Sequence, residues 1–143
     1  MEEAIPFSKE ARAISDLPLV AYAAGFFDAD GSVFIAYRQR RISGRGQWAV
    51  YTTIFTTTPS VVRLFAEQWG GSIGPTPGGV IWRTSARTAD RFLRDLLPWL
   101  TIKRTEALLA TRFRRECLRK PAGWNAKREW YRQAVHMLKS RRT

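Results

Sequence analysis

Asp28 and Asp30, in the stretch Ala23-Ala24-Gly25-Phe26-Phe27-Asp28-Ala29-Asp30-Gly31, are the first residues of this 143-residue chain whose placement suggests chemistry. They end an apolar helical segment in a chain of net charge +12. At a helix C-terminus, free carbonyls and the negative end of the dipole converge, so a carboxylate there suits a hard cation such as Mg²⁺. Residues two apart on a helix point about 200° away from each other, so the two aspartates divide their work. Asp30 is the candidate ligand, and Asp28 is expected to hydrogen-bond at the helix end. The sole histidine, His136, excludes Ser-His-Asp triads, zinc fingers and histidine-based nucleases. Catalysis would have to use carboxylate, lysine or a metal. Asp-Ala-Asp-Gly also opens calcium loops, but no glutamate follows at the twelfth loop position, so an EF-hand is excluded.

The elements that must position these groups are legible in the pattern. Asp16 as N-cap and Pro18 in the first turn start a helix that runs uncharged from Leu19 to Phe27, with Gly31 as its stop. Ala21 and Gly25, four apart, share a face that lets another backbone approach closely. Val33, Ile35 and Tyr37 alternate with Phe34, Ala36 and Arg38, which predicts a strand. Residues 40–46 form the hairpin tip, and the returning strand sets Trp48, Val50 and Ile54 against Gln47, Tyr51 and Thr53. Thr58 as N-cap and Pro59 begin a second helix with the stripe Val61, Val62, Phe65 and Trp69, ended by Gly70-Gly71. A second hairpin enters on Ser72-Ile73, turns through Gly74–Gly79 and returns on Val80–Thr84. Helices are expected from about Ala89 to Leu97 and from about Thr105 to Leu118. Asn125 caps a last one, with Trp130, Ala134 and Met137 or Leu138 inward. This order predicts an α+β fold in one domain: an antiparallel sheet covered by helices on one face. The core spans about 17–118, with a helical extension over about 125–141.

Charge placement suggests the partner. Lys and Arg number 24 against 12 acids, which points to a polyanion. Between Asp30 and Asp90 the only acid is Glu67, while Arg38, Arg40, Arg41, Arg45, Arg63, Arg83 and Arg87 fall in that span. Solvated faces usually mix both signs. The first hairpin's polar face carries Arg, Gln, Thr and Tyr, which read base edges and grip phosphates, and a two-stranded ribbon fits a major groove. Ser32, Arg38, Arg40, Arg41, Arg45, Gln47, Tyr51, Thr53, Trp82 and Arg83 are the candidate DNA contacts. No apolar run of eighteen residues or signal peptide is seen, and one cysteine, Cys117, forbids an internal disulfide. The expectation is an intracellular, reducing compartment, with no membrane partner.

Residues 23–31 resemble the LAGLIDADG motif of homing endonucleases and intron maturases, with Ala23 in place of Leu and Phe26-Phe27 in place of Leu-Ile. The element order over about Leu17–Leu118 resembles that family's αββαββα plan, with its saddle-like sheet. The segments Thr58–Gly71 and Leu97–Arg104 resemble family segments. The resemblance implies an active-site lysine at Lys103, a carbonyl ligand at Ala29 and a water-organising polar residue at Thr56, a shorter hydrogen-bonder than the family's usual Gln or Asn. It also implies one motif per chain and therefore a homodimer, with Ala21, Ala24, Gly25 and Asp28 at the interface. Two copies of Asp30 would hold Mg²⁺. Mn²⁺ would substitute, and Ca²⁺ would support binding without cleavage. The implied activity is site-specific cleavage of double-stranded DNA at a long near-palindromic site, in an intron- or intein-homing context. The alternative is a non-cleaving binder, either an RNA-splicing maturase or a degenerate DNA-binding relative.

Overall fold

The computed structural model describes residues 17–39 and 46–140. The chain runs α1 (Leu17–Asp30), β1 (Gly31–Gln39), β2 (Gly46–Thr56), α2 (Pro59–Trp69), β3 (Ser72–Thr76), β4 (Gly79–Ser85) and α3 (Ala86–Leu96). A 3₁₀ turn (Leu97–Trp99), α4 (Arg104–Arg119) and α5 (Trp124–Ser140) follow. It is an α+β fold with an antiparallel sheet in the order β1-β2-β4-β3. Period-two alternation sends Val33, Ile35, Val50, Ile54 and Trp82 to one face, where α1, α2, α3 and α4 bury them. The other face carries the polar set together with Phe34, Phe55 and Ile81.

One ring ties the layers together. Phe92 of α3 meets Phe27 of α1 edge-on at 5.4 Å, and Trp69 of α2 and Trp82 of β4 at 4.9 Å each. Such pairs add roughly 0.5–1.5 kcal/mol each beyond the area they bury. Phe27 also explains Gly31. The residue ends α1 without a left-handed turn: β1 begins on it directly, and a Cβ there would overlap the Phe27 ring. The sheet therefore starts one residue after Asp30.

Several local expectations need correction. Asp16 lies outside the described residues. Thr58 precedes α2 but makes no side-chain cap; its N–H is instead accepted by Thr56 Oγ1 at 3.1 Å. The second hairpin turns only on Pro77 and Gly78, because the pairing continues to Thr76↔Gly79 and Gly78 supplies φ of 86°. α3 begins at Ala86, three residues before the expected start.

Helix α5 is amphipathic but buries a different stripe. Tyr131 and Val135 face inward, whereas Trp130 and Met137 are exposed. Asn125 lies within its first turn, not ahead of it. The reason is α4: Phe113 packs edge-on to Tyr131 at 5.9 Å and tilted against Trp124 at 5.5 Å. Burial, reinforced by the interaction with Glu116, pushes the Tyr131 phenol up to about 12. Glu116 is held below the usual carboxylate range, chiefly by the Tyr131 hydroxyl and then by Lys127. A raised phenol means that the folded state holds this proton more tightly than the unfolded chain. The resulting stabilisation is complete below pH 10 and is lost as pH rises toward 12. Tyr131→Phe should remove that component, so the urea midpoint of the variant should fall less steeply than the wild type's across this window.

Candidate active site and nucleic-acid interface

The last turn of α1 splits its two aspartates as the helical angle requires. Asp28 is buried, and Asp30 is exposed. The Asp28 carboxylate accepts the backbone N–H of Thr101 on Oδ2 at 2.8 Å and that of Lys103 on Oδ1 at 2.9 Å. In return, Lys103 Nζ donates to the Asp28 carbonyl at 2.6 Å. Three bonds thus clasp residues 101–103 to the end of α1. Lys103 is buried at 8% exposure, and its ammonium lies where the carbonyls of a helix C-terminus favour positive charge. Asp28 is therefore committed inside the protomer, which corrects its assignment to an interface between copies.

The same geometry sorts the small residues of α1. Ala21, Gly25 and Ala29 lie on the accessible side with Tyr22, and a Cβ on Gly25 would meet no atom within 4 Å. Ala24 is fully buried against the core, so it too is removed from the expected interface. Thr56 is buried at the end of β2. The register Gly31↔Ile54 puts it at the same end of the sheet as the α1 terminus, with its hydroxyl accepting from Thr58.

The face away from the helices carries most of the expected DNA contacts. Ser32, Thr53, Arg83 and Ser72 form one row across all four strands. Arg38 pairs with Gln47 but leans over Tyr51, its Cζ 4.6 Å from the ring centroid, and Tyr51 stacks on Phe34 at 5.4 Å and 16°. A guanidinium laid on a ring loses less freedom on engaging a ligand. Phe34, Arg38, Tyr51, Thr53 and Arg83 line a groove of about 350 Å³. Arg40, Arg41 and Arg45 lie outside the described residues. Trp82 does not belong to this face. It is fully buried, and its Nε1 donates to the Gly70 carbonyl at 2.8 Å. Its neighbour Arg83 points outward, and adjacent strand residues cannot share a face.

Two kinds of residue escaped the sequence reading. Phe34, Phe55 and Ile81 sit on the same outer face, and period two gave the signal for each. Lys139 of α5 brings Nζ to 5.6 Å from the Phe34 ring, a contact across the sheet edge that no local pattern encodes. Among the described residues no group of three or more His, Cys, Asp or Glu forms a metal cluster. No helix there is long and apolar enough to cross a membrane.

No protein-family model matches the chain, and no curated protein does. Solved structures do. The homing endonuclease I-CvuI, bound to the I-CreI target in the presence of Mg with the DNA not cleaved, superposes with a TM-score of 0.73 at 23% identity, covering 86% of this chain and 83% of that one. The archaeal intron-encoded homing endonuclease I-Vdi141I, complexed with DNA, gives 0.68 at 14% identity over 84% and 83%. The LAGLIDADG homing endonuclease I-GzeII, with its DNA target, gives 0.59 at 14% identity over 81% of this chain and 43% of that one. This chain has the LAGLIDADG homing endonuclease fold. Within residues 23–31, the first aspartate is the clasp Asp28, and the second is the outward Asp30.

The clasp is testable. Asp28→Asn offers one acceptor where two backbone N–H groups need one each, and it turns its own NH₂ on the other. Leaving such a buried donor unpaired should lower unfolding free energy by about 1–3 kcal/mol, read as a shift in the urea midpoint.

Proposed function

We propose that this protein is a homodimeric, divalent-metal-dependent endonuclease that cleaves double-stranded DNA at a specific near-palindromic site. One observation carries the reading. The exposed Asp30 is followed one residue later by the strand that opens the outer face bearing Arg38 and Arg83, so a carboxylate and a cationic surface share one edge. The fold it shares with DNA-bound endonucleases supports this, as does the scarcity of acids between Asp30 and Asp90.

The donor set asks for two copies. Asp30 and the carbonyl of Ala29, both in exposed residues, are hard oxygen donors, too few in one protomer to hold an ion. The open Ala21–Gly25 face suits a second α1, which would bring a second Asp30 alongside, with DNA phosphates completing the shell. Bound there, Mg²⁺ would activate water and neutralise charge on the scissile phosphate and leaving oxygen, with Mn²⁺ able to replace it and Ca²⁺ supporting binding alone. Lys103 contributes a fixed positive charge beneath the site, held by Asp28. Thr56 supplies a hydroxyl at the same end of the sheet. Arg38, pre-stacked on Tyr51, and Arg83 orient the duplex, with Ser32, Gln47 and Thr53 between them.

Asp30→Asn should lower cleavage by at least about 10³-fold, the scale at which essential catalytic groups act, while duplex binding persists. The measurement is cleavage of a palindromic DNA library with Mg²⁺. Undiminished cutting by the variant would reject Asp30 as ligand. A wild type that binds the library yet never cuts would support the non-cleaving reading instead. Gly25→Leu tests assembly separately: with open space inside the protomer, the variant should fold normally yet sediment as a monomer. A variant that still sediments as the dimer would reject the α1 interface.

A further inference from the structure

One cationic concavity lies outside every residue assigned above except Gln47. Between the start of β2 and the α4–α5 junction, Gln47, Arg114, Lys120, Asn125 and Arg128 line a groove of about 750 Å³, and no acid is among its lining residues. Glu116 of α4 is engaged elsewhere, by Lys127 at 3.2 Å and by Tyr131. Arg128 is fixed, with its Cζ 4.5 Å from the Trp48 ring centroid, and its Nε finds no acceptor among the described residues. Arginine, lysine and side-chain amides converging without a carboxylate are the donors that proteins offer to nucleic-acid phosphates.

Position selects the occupant. Gln47 stands opposite Arg38 at the outer end of the sheet face, while Trp48 beside it turns toward the helices, so the groove wraps the end of the hairpin from that face to the α4–α5 junction. We propose that the groove is a second backbone-binding site, which holds the phosphates of duplex DNA where it runs past the sheet. This rests on the DNA-binding reading above and extends the footprint. It adds affinity and no base preference, because charge on phosphates carries no sequence information.

The test pairs Lys120→Gly with Arg114→Gln. Lys120 occupies the left-handed position that ends α4, at φ 48°, so glycine removes the charge and relaxes the backbone. A urea midpoint no lower than the wild type's confirms folding. The 11 residues of β2 cover roughly 10 base pairs per protomer, at about 3.3 Å per residue against 3.4 Å per base pair. Binding is measured against salt on a mixed-sequence duplex well beyond that span and on one trimmed to it. On the long duplex the slope of log K against log salt should shrink by about 0.9 for each phosphate that the variant no longer neutralises. On the trimmed duplex the variant should match the wild type. Equal slopes and affinities on the long duplex, or equal losses on both, would overturn the proposal while leaving the DNA-binding reading intact. Loss confined to single-stranded RNA would overturn it in favour of a different nucleic acid. A wild type without salt-dependent affinity for any duplex would remove both readings together.

Discussion

The Asp28 carboxylate is the constraint on which the site depends. It joins the end of α1 to residues more than seventy positions later, using both oxygens on backbone N–H groups. A buried carboxylate is tolerable only when its charge and lone pairs are answered, and the Lys103 ammonium stands on the carbonyl of the same residue. The clasp fixes where α1 terminates. It therefore fixes the direction of Asp30, the first residue of β1 and the seat of Lys103. Remove it, and Asp30, Lys103 and the start of β1 have no reason to be assembled in one place.

Around that point the remaining packing is ordinary in kind and specific in detail. Phe92 brings α1, α2 and β4 onto α3 through three edge-on contacts, and Phe27 reaches back to require glycine at position 31. The abrupt helix-to-strand junction follows from that ring, so the core and the edge that carries Asp30 are one problem solved once. The buried hydroxyls of Thr52 and Thr84 answer one another, hydrogen-bonding across β2 and β4.

Much of this was legible in the residues. The element order, the covered and uncovered sheet faces and the inward–outward division of Asp28 and Asp30 follow from periods of 3.6 and 2. Trp82 was misplaced because composition, an aromatic beside an arginine, outweighed alternation. Counting by twos from Ile54 through the pairing would have sent it inward. The α5 stripe was misjudged for a different reason. Trp130 and Tyr131 are both aromatic neighbours, and only the partner helix, through Phe113, decides which is buried. Ala24 sits on the same helix as Gly25, yet α1 packs on the core along one side only, and periodicity alone does not say how wide that side is. Contacts between distant segments, such as Lys139 with Phe34, have no local signature at all.

The flat rows of the outer face carry a metric consequence. Side chains on one face of a strand recur about every 6.6 Å, close to two steps of 3.4 Å along a duplex. Ser32, Phe34, Ala36 and Arg38 on β1 are therefore nearly commensurate with every second base pair, and β2, alongside, can address those between. Sheet twist spoils the match over longer distances, so faithful registration holds for a few residues before the surfaces drift apart. On the DNA-binding proposal, a protein built this way would sample a duplex in short alternating intervals. Changing one outward side chain would alter what is sensed over one or two steps and leave the rest of the reading frame in place.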